Sequence, residues 1–346
     1  MPSIQANDLT ALVQNIYEAV GVAPEKATVV ATEQVEANLA GHDSHGVLRT
    51  MDYVAWIKLG HIVPAAEMEI VRETPATAVI DGHWGFGFVI TKQATELVIA
   101  KARATGVAAA TVRRQSHVGR LSPYTQLMAE NGLIGFMTAD SGMAPKHVVP
   151  FGGRQGRLGT NPISISAPSK RHGVAALDMS TATVAMGKIH VAAARGETIP
   201  TGWLINAEGA PTTDPSDYKR GAVLLPLGAD QGHKGYGLAF MIEMLSGLLT
   251  GIGYGVDPKG KHNDGVFLAA FNIANFIEPE QFETEMSSFI DEVKNTPLAQ
   301  GHQAIYFPGE MERRSAERRR RDGISIDEDT WRRLRALATE VGSPPN

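Results

Sequence analysis

The stretch "GHDSHGVLRT", residues 41–50, sets Ser44, His45 and Arg49 close together, with Tyr53 one helical turn further on. In a helix turning about 100° per residue, positions 45, 49 and 53 drift by only about 40° at each step. His45, Arg49 and Tyr53 are therefore expected on one face. Val47, Leu48, Met51, Val54, Ala55 and Ile57 fall on the other and supply a packing stripe. Arginine grips a carboxylate through two parallel N–H donors, histidine moves a proton near neutral pH, and a serine or tyrosine hydroxyl orients either group. Such a set suits a small oxygenated acid. The plainer reading is a surface helix that Ser44 merely caps. His42 and His45 also stand three apart, as metal ligands can, but no metal site is expected from so short a pattern.

Two more clusters carry chemistry. In "RRQSHVGRLSPY", His117 follows the strand-like "GVAAATV" and precedes a helical run. That puts it at the C-terminal end of a strand, where α/β sheets bind ligands. In "GADQGHKGYGLAFMIEMLSG", Lys234 stands among Gly232, Gly235 and Gly237 at the start of an apolar helix, an arrangement suited to a phosphate. The reading from another class makes Lys234 the Schiff-base lysine of a lyase. Neither a Walker loop nor a G-x-G-x-x-G after a strand is present, so a bound dinucleotide would not use the Rossmann fingerprint.

These residues need a framework, and composition permits a large one. The 346 residues are 43% hydrophobic and 20% charged, enough for two domains or one large one. A net charge of −5 excludes a general nucleic-acid or membrane binder. The basic run "RRSAERRRR", Arg313 to Arg321, reads as a solvated helix face, with an anion site as the alternative. Absence of cysteine fits a reducing compartment, no signal peptide or apolar span of about 18 residues is evident, and a cytoplasmic protein is expected. Residues 8–60 have helical periodicity, with Leu9, Leu12, Val13, Ile16, Tyr17 and Val20 on one stripe. Beyond residue 68, runs such as "EIVRE", "TAVID", "LIGFMTA", "GVAALDM" and "VFLAAFNIANFI" alternate with helical patterns, which predicts an α/β fold. "GWLINAEGAPTTDP" predicts a hairpin, so the sheet is expected to be mixed. A last helix follows a cap at Ser325 or Asp327.

In order along almost the whole chain, "GHDSHG" with Arg49 and Tyr53, "SHVG", "GTNPISISAPS", "LDMSTATVAMGK", "GHKGYGLAFMIEMLSG" and "YFPGEMERR" resemble the motifs of the malate/L-lactate dehydrogenase family of the non-Rossmann type. The resemblance implies an NAD- or NADP-dependent oxidoreductase, normally a homodimer, acting on a small 2-hydroxy or 2-oxo carboxylate. A cyclic 2-imino acid is the alternative substrate. It implies a non-Rossmann, largely antiparallel mixed sheet flanked by helices, with a helical domain formed from both chain ends. The expected divisions are 1–70, a cofactor-binding 71–310, and 311–346 packing on the first. By motif, Ser44 and His45 match the family's Ser-His pair, Arg49 the carboxylate clamp, and Tyr53 a substrate-side hydroxyl. His117 matches the acid/base position of the ureidoglycolate branch, while other members give that role to the position of His45. Asp178, Met179 and Ser180, then Lys234 and Gly235, then Gly309 and Glu310 match cofactor contacts; Asp178 is alternatively a carboxylate that orients a histidine. Ser141 is matched as a substrate contact. His262 stands where the ureidoglycolate branch has an arginine, in a segment with a longer loop. In oxidation a neutral histidine takes the C2 hydroxyl proton as hydride leaves for the nicotinamide, and reduction is the reverse.

Overall fold

The protein is described by a computed structural model over residues 2–141, 146–254 and 263–343. In chain order the first part contains β1 (Ser3–Ile4), α1 (Ala6–Ala19), α2 (Pro24–Leu39) and α3 (Thr50–Lys58). Then come β2 (Glu69–Glu73), β3 (Thr77–Gly85), α4 (Gly87–Thr105), β4 (Val107–Gln115), α5 (Ser122–Glu130), β5 (Leu133–Ser141), β6 (Ile163–Ser169) and β7 (Gly173–Met179). A smaller piece holds α6 (Met186–Arg195), β8 (Leu204–Ile205), β9 (Pro211–Thr212), β10 (Val223–Leu224) and α7 (Gly232–Glu243), which runs on as a π-helical turn over Met244–Leu248. The chain finishes with β11 (Asp264–Asn272), α8 (Pro279–Lys294), α9 (Glu310–Asp322), β12 (Ile324–Ser325) and α10 (Glu328–Glu340).

The main sheet has the order β2-β3-β4-β11-β5-β6-β7. Only β3 and β4 pair in parallel, with α4 as the crossover between them, and every other pair is antiparallel. No Rossmann half is built this way, in keeping with the missing glycine fingerprint. Helices α4 and α5 cover one face through Ile90, Val98 and Met128, which pack with Ile80, Val112, Met137 and Leu268 of the strands. A second core joins the two ends of the chain. Leu9 and Ile16 of α1, Val35 of α2, Tyr53 of α3 and Phe86 before α4 bury against Ile324 and Leu334. There β1 pairs antiparallel with β12, Ser3 opposite Ser325 and Ile4 opposite Ile324. Asp327 accepts the Thr330 N–H at 2.9 Å and is the cap of α10. The predicted hairpin is present as β8 and β9.

Three stretches differ in part from expectation. Residues 44–58 are not one helix: tight 3₁₀ turns at Asp43–His45 and Val47–Arg49 precede α3. Gly46 separates them because its backbone lies against Asn38, where a β-carbon would stand 2.2 Å from Oδ1. Val47 and Val54 are buried as expected, with Met51 and Ile57 packed against the same core, but Tyr53 is buried with them and Ala55 is exposed. Second, β6 escaped the strand reading because its sequence, ISISAPS, is polar and contains Pro168. Proline is tolerated there because pairing with β5 covers only residues 163–166. Third, the basic run forms the exposed helix face expected, and its arginines are paired on it. On α9, Arg319 and Arg320 pair with Asp43 and Glu36, and Arg314 with Glu310.

Candidate active site

Three elements converge at one end of the main sheet. The turns after α2 bring Ser44 and His45, the loop after β4 brings His117, and the paired ends of β5 and β11 bring Ser141 opposite Asp264. Asn38, at the end of α2, fixes the first of these by accepting the Val47 N–H at 2.9 Å and donating to Asp43 at 2.6 Å. Gly87 lets α4 start against the His117 backbone, since a β-carbon there would stand 2.6 Å from the His117 carbonyl oxygen.

A small cleft of about 90 Å³ is lined by His45, His117, Ser141, Asp264, Asp140, Gly159 and Asn161 among others. The two imidazoles stack with centroids 5.6 Å apart. Ser44 Oγ lies 3.0 Å from His45 Nδ1, and Tyr53 OH lies 2.6 Å from His117 Nδ1. The Gly119 N–H donates to the same His117 nitrogen at 3.3 Å. A backbone N–H can only donate, so Nδ1 is an acceptor and the proton of the neutral ring sits on Nε2. Burial, reinforced by His117 and Arg49, pushes His45 down to about 3 and keeps it neutral. Tyr53 is pushed well above its ordinary value by burial and stays a hydroxyl. Ser141 Oγ donates to Asp264 Oδ1, while Asp264 Oδ2 accepts the Val118 N–H at 3.0 Å. Asp264 thus ties the strand ends to the His117 loop.

The other expected residues are placed less centrally. Arg49 donates from Nε to the Ser44 carbonyl at 2.9 Å and from Nη1 to Asp52 at 3.0 Å, beside His45 but outside the cleft lining. Asp178 accepts the Leu121 and Ser122 N–H groups at 3.0 and 2.8 Å, so its carboxylate caps α5 and is not bonded to either histidine. That corrects the histidine-orienting alternative; Tyr53 takes the place. Met179 and Ser180 end β7, half-buried, outside the cleft lining. Gly309 caps α9, and buried Glu310 is held by Lys294 at 2.6 Å and Arg314 at 2.8 Å. Burial alone would raise the Glu310 carboxyl, but these cations hold it below the ordinary range. Lys234 is exposed on the first turn of α7 and does not line the cleft, so it lacks the buried polar surroundings that a Schiff-base lysine needs. The lyase reading is set aside on that ground. Gly235 is bare because a β-carbon would stand 2.2 Å from the Leu227 carbonyl oxygen. His262 lies outside the described residues.

Sequence reasoning missed Asp264, Asp140, Lys146, Glu243 and Asn161. The signal for Asp264 was a carboxylate at the mouth of an apolar strand, and for Asn161 its place in the quoted "GTNP". A larger cleft of about 670 Å³, lined by Ser44, Lys188, Arg195 and Trp203 among others, opens beside the first. Among the described residues no group of three or more histidine, cysteine or acidic side chains stands ready for a metal, and no helix is long and apolar enough to cross a membrane.

The sheet has no Rossmann topology and carries paired histidines and hydroxyls at one end, and the chain's relatives make it an oxidoreductase that acts on hydroxy acids. The chain is a member of the malate/L-lactate dehydrogenase family, whose sequence pattern matches residues 4–335. It is 37% identical to L-sulfolactate dehydrogenase of Methanothermobacter thermautotrophicus over 95% of this chain and 94% of that one. Malate dehydrogenase of Pyrococcus abyssi is likewise 37% identical, over 98% and 95%. The solved structure of sulfolactate dehydrogenase from Methanocaldococcus jannaschii superposes with a TM-score of 0.91 at 36% identity, covering 99% of this chain and 98% of that one.

Proposed function

We propose that the protein interconverts a small 2-hydroxy carboxylate and its 2-oxo counterpart with NAD or NADP, and that His117 carries the proton. The observation behind this reading is the His117 ring, fixed at Nδ1 by Tyr53 and Gly119 and stacked on a histidine kept neutral. When bound, the nicotinamide supplies or accepts the hydride at C2. The cleft fits such a partner: it offers histidines, a hydroxyl and a buried acceptor rather than a cluster of metal ligands. In oxidation His117 Nε2 can take the C2 hydroxyl proton only when the neutral ring carries its own proton on Nδ1, donated to Tyr53 OH. Substrate binding must therefore replace the Gly119 N–H contact by that tautomer. In reduction the doubly protonated ring gives the Nε2 proton back to the C2 oxygen. His45, with its low basicity, positions substrate with Ser44. Arg49 grips the carboxylate, its guanidinium already oriented by the Ser44 carbonyl and Asp52. Asp264 and Ser141 shape the opposite wall. Asp178, Met179 and Ser180, Lys234 and Gly235, and Gly309 and Glu310 remain the proposed cofactor contacts. A second copy of the chain covers the exposed apolar side of α7.

The test is a reduction screen of 2-oxo acids and cyclic 2-imino acids, each with NADH and NADPH, followed by absorbance of the reduced cofactor. Turnover of a 2-oxo acid is expected. Turnover of imino acids alone would transfer the enzyme to the reductase alternative, and turnover of neither class would overturn the reading.

A further inference from the structure

Behind the small cleft lies a buried polar cluster to which the reading above gives no task. Lys146 Nζ sits 2.9 and 2.8 Å from the two Asp140 oxygens and 3.4 Å from Glu243. Asn161 donates from Nδ2 to the Ala239 carbonyl and to Glu243 Oε2, each at 3.0 Å. Two acceptors on one side fix the amide, because turning it over would set Oδ1 against a carbonyl and a carboxylate. Oδ1 therefore points the other way. It is buried and, among the described residues, has no hydrogen-bond partner. Such an orphan acceptor costs free energy unless something fills its need.

The space that Oδ1 borders is a definite one. A β-carbon on Gly159 would stand 2.7 Å from Asn161 Oδ1 and 2.9 Å from Asp140 Oδ1. Both acceptors therefore lie close beside one glycine, and all three residues line the same cleft as His45 and His117. Asn161 itself is held at a φ of +36°, a conformation that asparagine tolerates better than most residues but that still carries strain. A hydroxy acid brings only one donor, the C2 hydroxyl, and the histidine takes it. A primary amide brings two N–H groups on one nitrogen.

Given that the enzyme uses a nicotinamide cofactor, we propose that Asn161 Oδ1 and Asp140 Oδ1 form an acceptor pair that binds the amide nitrogen of the nicotinamide carboxamide. Asn161 is then a binding residue that reads the ring's substituent, and Glu243 is the residue that aims it. Lys146 keeps Asp140 in place.

The test compares binding, without substrate, of NADH or NADPH with the matching reduced 3-acetylpyridine dinucleotide, whose methyl ketone has no N–H. Affinities are read by fluorescence titration or calorimetry. The parent protein is expected to prefer the carboxamide by about fivefold or more. In Asn161→Ala that preference should shrink to about twofold or less, through loss of affinity for the carboxamide form. Because Asn161→Ala also takes a donor from Glu243, Gly159→Ala provides an independent check. Its β-carbon would stand under 3.0 Å from both acceptor oxygens and so must displace them without deleting either side chain, and the preference should shrink there too. A preference that persists in either folded variant, or is absent from the parent, overturns the acceptor pair and leaves the nicotinamide reading standing. Binding of no dinucleotide at all overturns both.

Discussion

His45 and His117 are the same residue type in two different electrostatic positions. His45 is pushed down to about 3 by burial and by its cationic neighbours, which makes it a weak base at neutral pH, whereas His117 is oriented by Tyr53 and Gly119. His117→Gln should lower kcat by about 10² to 10⁴ and remove the neutral limb of the pH–rate profile, while His45→Gln should mainly raise KM and keep that limb. Initial rates across pH 5–9 decide it, and the opposite pattern would exchange the two roles. His45 also couples to stability. Its folded value lies below the ordinary one near 6.5, so the unfolded chain binds more protons and stability is lost as pH falls from about 6.5 toward 3. Half-buried Glu33, pushed up to about 7, and buried Asp140, raised by its burial, have the opposite slope, so the comparison must be between variants. Relative to parent, the melting temperature of His45→Gln should rise between pH 6.5 and 4. A constant difference would show that His45 is not the titrating group. At this scale the sequence marked both histidines by their motifs but could not rank them, since the ranking depends on burial. Asn161 went unassigned because an unsatisfied oxygen exists only once Glu243 has taken the other end of its amide.

Among the elements, tight backbone approach set the errors and explains the glycines. The 44–58 stretch has a helical pattern, yet Gly46 must slot against Asn38, and this contact across the fold converts one helix into two turns and a shorter helix. The same logic separates two glycines of α7 that look equivalent in "GHKGYG". Gly235 would press a β-carbon 2.2 Å from the Leu227 carbonyl oxygen, while Gly237 has open space around it. Gly235→Ala should cost about 1–3 kcal/mol by overpacking, and Gly237→Ala should gain about 0.5–1 kcal/mol from helix propensity. Urea unfolding midpoints measure both, and a stabilising Gly235→Ala would refute the close contact. Strands with apolar runs, such as β4, β5 and β11, were legible from sequence, as were the α10 cap and the hairpin. The polar strand β6 was not, because its serines look outward in sequence yet are buried beneath α5, where Ser164 and Ser166 each meet Thr125 at 2.7 Å.

At the level of the whole molecule, the exposed side of α7 and its π-helical continuation carries Phe240, Met241, Met244, Leu248 and Leu249. Contiguous apolar surface of this kind marks an interface, which supports the proposed homodimer. Phe240→Asp with Leu249→Asp should halve the sedimenting mass to that of the 37.0 kDa chain, and a parent that already sediments as a single chain would refute the dimer. The overall class of fold was legible because motifs in fixed order span the chain, whereas the convergence of its two ends is invisible to any local pattern. The β1–β12 clasp has a consequence for synthesis. Leu9, Ile16 and Val35 bury against Ile324 and Leu334, which the ribosome makes about three hundred residues later. Helices α1 and α2 emerge with their apolar stripes uncovered and must wait until β12 and α10 have been made. Nascent chains stalled before residue 324 are therefore the species that chaperones would have to hold, and loss of the C-terminal helices would leave an aggregation-prone product rather than a smaller working enzyme.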